Sequence, residues 1–260
     1  MRDQASATGA EARLRVIPEL SRTRATALSG AQSVADEAAT TATVIAPHPM
    51  FWKRRRFKDG EPVGGWAKRL FDVVAAGAAI IMLAPLLALI WLAVRIERKG
   101  GDAIFKQERG GFGGRAFTIY KFRTMTCAES GRHMRQVKSD DDRVTRLGGF
   151  LRRTSWDELP QLFNVLAGDM SLIGPRPHAL QHDSEFADVD PSYTVRFRAR
   201  PGITGLAQVS GCRGPTETPD KVRERTAYDV QYVQEWSPAE DFKVLWLTLM
   251  LFAKRDPRAI

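Results

Sequence analysis

Residues 73 to 94 read VVAAGAAIIMLAPLLALIWLAV, 22 positions without a charge. As a straight α-helix this run measures about 33 Å, close to the hydrocarbon thickness of a bilayer. A soluble core helix seldom dispenses with a polar stripe over that length, so the segment belongs in or on a membrane. Pro85 stands near its middle. It has no N–H for the carbonyl of Ile81 and its ring crowds that carbonyl, so a kink or break is expected, leaving two arms of about 11 residues each. Basic residues flank both sides: Lys53, Arg54, Arg55, Arg56, Lys58, Lys68 and Arg69 before the run, then Arg95, Arg98, Lys99 and Lys106 after it. Positive flanks prefer the cytoplasmic face. A single pass would export one cluster, whereas a re-entrant helix-break-helix over 66–99 exports neither. The flanks favour the re-entrant form; a kinked single pass stays open, because proline is tolerated in spanning helices.

The rest of the 260-residue chain divides by charge. Lys and Arg number 39 against 30 Asp and Glu, a net +9, yet residues 1 to 50 hold five arginines against five acids and no Phe, Tyr or Trp. That segment lacks the large apolar side chains that offset chain ordering, so residues 1–60 are expected to form a disordered tail with a basic end. No basic stretch followed by a short apolar run opens the chain, and no cleavable signal peptide is expected. Two cysteines, Cys127 and Cys212, are too few for a disulfide framework or a structural zinc site. Residues 100–256 are therefore expected to form a cytoplasmic catalytic domain.

Within that domain, residues 103–105 and 117–122 read as short strands around RGGFGGR (109–115). The glycines predict a hairpin turn; a phosphate loop would need the GK[S/T] ending that is missing. Asp140, Asp141 and Asp142 read as a solvated acidic turn. SWDELPQLFNVLAG (155–168) predicts a helix start, with Ser155 as N-cap, Glu158 completing a capping box and Pro160 in the first turn. Asp157 and Glu158 then stand at a positive helix end. They serve either as caps or as a place where a divalent cation and a phosphate bind together. SLIGPRP (171–177) and RPGITG (200–205) combine turn residues with Arg176 and Arg200, whose planar guanidinium groups can each hold two phosphate oxygens. Residues 242–252 are almost wholly apolar and fit either a core or a membrane interface.

Taken in order, KRLFD (68–72), the proline-broken run, IFKQERGGFGGRAFTIYKFRTM (104–125), LRRTSWDELPQLFNVLAGDMSLIGPRP (151–177), RPGITGLAQVSG (200–211) and YDVQYV (228–233) resemble the monotopic phosphoglycosyl transferases, the polyprenyl-phosphate hexose-1-phosphate transferases of bacteria, in their short single-domain form. The resemblance covers about residues 66 to 256. It implies a mixed α/β fold (α+β, mostly helical) with interfacial amphipathic helices, monotopic on the cytoplasmic face of the bacterial inner membrane. It also implies transfer of a sugar 1-phosphate from a UDP-sugar to undecaprenyl (polyprenyl) phosphate, with release of UMP, as the initiating step of exopolysaccharide or related glycan synthesis. Asp157 matches the family's nucleophile, which would carry a covalent phosphosugar. Glu158 matches its partner in holding Mg²⁺, a role the two acids could share. Lys121, Arg123, Arg176 and Arg200 are candidates for phosphate groups, with Asp229 in support. Membrane lipids are expected partners, nucleic acid is not, and a homo-oligomer is left open. Three positions depart from the family's habit: Ala84 replaces a serine before the breaking proline, Leu206 a tryptophan and Ser210 an asparagine.

The basic balance alone would also permit a membrane-tethered nucleic-acid binder or an inactive scaffold. The first lacks a stacking platform of aromatic residues and a helix-turn-helix signature. The intact pair of adjacent acids speaks against the second.

Overall fold

A computed structural model describes residues 60–97, 101–126, 141–214, 216 and 218–253. They belong to one compact unit spanning residues 54–260. The expected tail lies outside the described residues except for Gly60, as do the basic cluster at 53–58, Cys127 and Asp140.

The apolar run forms helix α1 (Gly65–Ile96), and the expected break at Pro85 is absent. The helix runs on through the proline because the missing N–H costs one bond of the ladder, while the turns on either side keep theirs. One face is packed, with Lys68, Asp72, Ala76, Ile90 and Val94 buried at helical spacing. The other face is bare: Ile81 is 79 % and Met82 74 % exposed. Only 11 % of the most apolar 18-residue window is buried, and the helix is long and apolar enough to cross a membrane. Each large apolar side chain left in water forgoes roughly 1.5–3 kcal/mol of burial free energy, a loss that hydrocarbon surroundings remove. This is a membrane-associated helix, not the core helix of a soluble domain.

Both ends of α1 are tied to the same soluble body. At the N-terminal end Lys68 Nζ donates to Asp241 Oδ2 at 2.7 Å, with both side chains buried. At the C-terminal end Arg123 Nη2 donates to Val94 O at 2.9 Å, and its Nη1 donates to Gly101 O. Between them Ala76 joins Ile119, Leu162, Val165 and Met170 in one apolar cluster, while Ile90 and Val94 join Ala103, Phe122 and Leu151 in another.

Strands β1 (Ile104–Gly110) and β2 (Ala116–Phe122) form the expected antiparallel hairpin, Ile104 opposite Phe122 and Gly110 opposite Ala116. The first strand is longer than the apolar pattern suggested, since Lys106, Gln107, Glu108 and Arg109 alternate along it. At the turn Gly113 and Gly114 take left-handed φ of 66° and 72°. Helix α2 (Arg146–Arg153) is capped by Thr145, whose Oγ1 accepts from Gly148 N at 2.9 Å. The preceding acidic turn is an ion-paired loop: Asp141 accepts from Arg143 Nε at 2.8 Å and Nη2 at 2.6 Å.

After helix α3 (Gln161–Ala167), strand β3 (Ser171–Ile173) pairs in parallel with β4 (Gly202–Thr204), with helix α4 (Leu180–Val189) between them in sequence. The two phrases read as separate turns are thus a single two-stranded piece. A side chain at Gly174, Gly202 or Gly205 would collide with the backbone opposite, which is why glycine stands at all three. Helices α5 (Leu206–Val209), α6 (Pro219–Glu235) and α7 (Pro238–Ala253) complete the fold. The result is mixed and mostly helical, as expected. Helix α7 is amphipathic in the inverted sense. It buries Asp241, Val244 and Thr248, and it exposes Phe242 and Trp246 (61 % each), Leu249 and Phe252.

Candidate active site

The two adjacent acids lie on a 3₁₀ turn, Trp156–Glu158, and not at the start of a helix. The capping box does not form. Ser155 takes φ 55°, ψ 19° and its side chain caps nothing, while α3 begins at Gln161 with Pro160 at its N-cap. Among the described residues Ser155 alone combines a side chain with positive φ, a conformation costing on the order of 1 kcal/mol. That bend turns the chain off the end of α2 into the turn that carries both carboxylates. Trp156 anchors the turn, its ring edge-to-face with Phe150 at 5.6 Å.

Glu158 sits between two cations. Lys121 Nζ donates to Oε1 at 2.7 Å, while Arg176 places Nη1 on Oε2 at 3.1 Å and Nη2 on Oε1 at 2.5 Å. Burial alone would push this carboxyl up, but the Arg176 and Lys121 charges together outweigh it and hold it far below the usual carboxylate range. Asp157 has no side-chain hydrogen bond among the described residues. Burial and the neighbouring Glu158 charge push it up to about 6. Adjacent acids are therefore driven apart in acidity, one fixed as an ion-paired anion and the other unpartnered and tunable.

Asn164 fixes the distance between the acids and Lys121. From α3 its Oδ1 accepts from Tyr120 N at 3.0 Å and its Nδ2 donates to Thr118 O at 2.7 Å, locking α3 to β2. The segment carrying Arg176 is pinned carbonyl by carbonyl. Ile173 O accepts from Tyr232 Oη, Pro175 O from Gly202 N, Arg176 O from Arg196, Pro177 O from Arg109 Nη1 and His178 O from Gly110 N. Asp229 lies behind this segment. Its Oδ2 is 3.1 Å from Arg196 Nη2, both side chains being 3 % exposed, so it acts on Arg176 through Arg196. His178, between Arg196 and Arg225, is kept neutral by burial and by those positive charges.

Of the residues singled out from sequence, Asp157, Glu158, Lys121 and Arg176 converge, and Asp229 stands one layer behind. Arg123 and Arg200 do not reach the acids. Arg123 holds the carbonyls that close α1, and Arg200 Nε donates to Gly168 O at 3.0 Å beyond the far end of α3. Asn164 and Arg196 carry no motif signal and Arg109 only marks the edge of a glycine-rich turn; their roles arise from pairings that only the fold creates. No group of three or more His, Cys, Asp or Glu among the described residues forms a metal cage. A pocket of about 320 Å³ lined by Phe112, Arg115, Phe197 and Arg198 opens at the hairpin turn, the opposite end of β2 from Lys121.

Residues 63–255 match the family model described as bacterial sugar transferase. Over 182 residues the chain is 53 % identical to the UDP-glucose:undecaprenyl-phosphate glucose-1-phosphate transferase of Caulobacter vibrioides, covering 70 % of this chain and 68 % of that one. The Escherichia coli K12 protein of the same name is 43 % identical over 182 residues, covering 70 % of this chain and 39 % of its own length. The exopolysaccharide production protein PSS of Rhizobium leguminosarum bv. phaseoli is 42 % identical over 189 residues, covering 70 % of this chain and 93 % of its own. The aligned part thus spans nearly all of one short relative and about two fifths of a long one.

Proposed function

Because the chain belongs to the bacterial sugar transferase family, we propose that it transfers glucose 1-phosphate from UDP-glucose to undecaprenyl phosphate, releasing UMP and initiating exopolysaccharide synthesis. The observation that carries this reading is the contrast within the acid pair: Asp157 has no side-chain hydrogen bond among the described residues, while Glu158 is held by Lys121 and Arg176. A free carboxylate beside a charge-neutralised one is what nucleophilic attack on phosphorus requires.

In the first step a carboxylate oxygen of Asp157 bonds to the sugar-bearing phosphorus. The bond from that phosphorus to the bridging oxygen breaks, and its electron pair leaves with UMP. In the second step an oxygen of the lipid phosphate attacks the same phosphorus, the Asp157–phosphorus bond breaks, and the carboxylate is restored as the lipid diphosphate sugar departs. Lys121 and Arg176 keep Glu158 ionised and present positive charge towards the phosphoryl oxygens.

The donor set suits Mg²⁺. A carboxylate offers about four lone-pair positions, and three on Glu158 accept hydrogen bonds from Lys121 and Arg176, which leaves one on Oε2 besides the whole of Asp157. One or two carboxylates completed by substrate phosphates and water is a common Mg²⁺ environment. Bound there by Asp157 and Glu158, the ion would neutralise diphosphate charge.

We read α1 as lying in the cytoplasmic leaflet with both of its ends on the cytoplasmic face. Support comes from its two ends, at Lys68 and Val94, being held by one soluble body, while Ile81 and Met82 between them are bare. A helix crossing the bilayer would leave one of those ends on the opposite side from its partner. The inverted amphipathy of α7 suits the same interface.

The test is transfer itself. Purified full-length protein with Mg²⁺, undecaprenyl phosphate and radiolabelled UDP-glucose, UDP-galactose or UDP-N-acetylglucosamine is expected to place label in the lipid from UDP-glucose first. Label from another sugar alone would reassign the donor; label from none would overturn the reading.

A further inference from the structure

Arg69 and Arg200 meet at the C-terminal end of α3, away from the acids. Arg69 donates Nη1 to Val165 O at 2.5 Å and Nη2 to Leu166 O at 2.8 Å, and Arg200 donates Nε to Gly168 O at 3.0 Å. A Cβ on Gly168 would lie 3.4 Å from Arg69 Nη2, so both guanidinium groups rest against one glycine. Each guanidinium has five N–H groups, and three carbonyls leave most of them unused. Neither Nη of Arg200 has a hydrogen bond, and neither arginine has an ion-pair partner, among the described residues. Asp72, whose charge reaches Arg200, forms no ion pair with it: its Oδ1 accepts from Ser171 Oγ at 3.0 Å and Leu172 N at 3.1 Å. Burial and the neighbouring Arg69 charge disfavour the Arg200 cation and outweigh the favourable charge of Asp72.

Exposed apolar side chains stand on α1, which carries Arg69, and on α3, whose end the pair contacts. Leu166 is 37 %, Phe163 48 %, Leu70 56 % and Trp66 80 % exposed. Arginines accompanied by bare aliphatic and indole side chains suit the depth at which phosphates lie above acyl chains. Asp157 precedes α3 and Gly168 follows it, so about 10 Å of helix separates this place from the catalytic acids. A phosphate held here is out of reach of Asp157.

We propose that Arg69 and Arg200 form a second anion site, for the phosphate of an anionic glycerophospholipid such as phosphatidylglycerol. Two positive charges that form no ion pair among the described residues favour a headgroup of net negative charge over a zwitterionic one, whose ammonium they would repel. The site rests on the interfacial placement of α1 and is independent of which sugar is transferred. It would seat the enzyme at a set depth and angle by gripping one lipid beside α1.

The test is lipid retention, read separately from transfer. Full-length protein in detergent micelles is supplied with phosphatidylglycerol or phosphatidylcholine, and bound lipid is counted by native mass spectrometry. Wild type is expected to hold phosphatidylglycerol at least fivefold better than phosphatidylcholine, and Arg200→Gln to lose that preference while still forming a phosphosugar adduct on Asp157. Arg200→Lys keeps the charge without the fork and is expected to fall between the two, which also answers the question should the glutamine variant not fold. Equal retention of both lipids by wild type, or undiminished phosphatidylglycerol retention by either variant, overturns the proposal. So does complete displacement of phosphatidylglycerol by equimolar undecaprenyl phosphate, which would give the site to the acceptor.

Discussion

Arg176 grips Glu158 as a fork, with Nη1 on Oε2 at 3.1 Å and Nη2 on Oε1 at 2.5 Å. Lysine at 176 keeps the charge but cannot reproduce two parallel bonds. Arg176→Lys is expected to lower kcat/KM by roughly tenfold or more. The Arg176 side chain is 36 % exposed, so the melting temperature should stay within about 4 °C of wild type. Kinetics beside a thermal melt separate the two effects; a fall in stability that matches the loss of rate would make the fork merely structural.

Asp157→Asn should abolish both UMP release and the phosphosugar adduct detected by mass spectrometry without lipid acceptor. It should also stabilise the protein. The folded-state carboxyl lies near 6, above its ordinary 3.8, so the fold favours the protonated form, and ionisation costs stability once pH exceeds both values. The gain, on the order of 1 kcal/mol after allowance for solvent screening, should appear at pH 7.5 and vanish below about pH 4. An asparagine variant less stable than wild type at pH 7.5 would show the charge to be favourably placed.

The same shift sets the acid limb of the rate. In the proposed first step attack needs ionised Asp157, so single-turnover UMP release should fall as pH drops through about 6, to about a tenth of its pH 7 value at pH 5. Glu158 is held far lower by Arg176 and Lys121 and should not titrate in that window. A flat profile between pH 5 and 7.5 would remove Asp157 from the rate-limiting chemistry.

Lys68 and Asp241 form a buried pair at 2.7 Å, and Asp241 also accepts from Tyr232 Oη at 2.8 Å and Trp236 Nε1 at 3.0 Å. Asp241→Asn strands the lysine and should cost roughly 3 kcal/mol or more by denaturant unfolding. A cost below about 1 kcal/mol would mean that Lys68 finds water or lipid phosphate instead.

Topology is testable in cells. Single cysteines at positions 66 and 102, in a chain with Cys127 and Cys212 replaced, should both be protected from a membrane-impermeant maleimide added from the periplasmic side. Labelling of either position identifies a crossing helix.

The sequence made the convergence of Lys121, Asp157, Glu158 and Arg176 legible because phosphate chemistry restricts residue types and each stands in a distinctive phrase. The helix cap was misread. S-x-x-E fits a capping box, but Pro160 displaces the helix start and Ser155 turns left-handed, a choice made by the packing of Trp156 on Phe150. The pairing of β3 with β4 was hidden because three-residue strands have no readable period. Arg123 and Arg200 stand away from the acids, each donating to a main-chain carbonyl, because an arginine's place and partner are decided by the fold.

The close backbone crossing at Gly174, Gly202 and Gly205 acts as a gauge block. Arg176 leaves it on one strand and Arg200 enters it on the other, so the spacing between the two arginines is set by main-chain contact and leaves little room for adjustment. A side chain inserted at any of the three glycines should therefore disturb both ends of the molecule at once, the grip on Glu158 and the contact with Gly168.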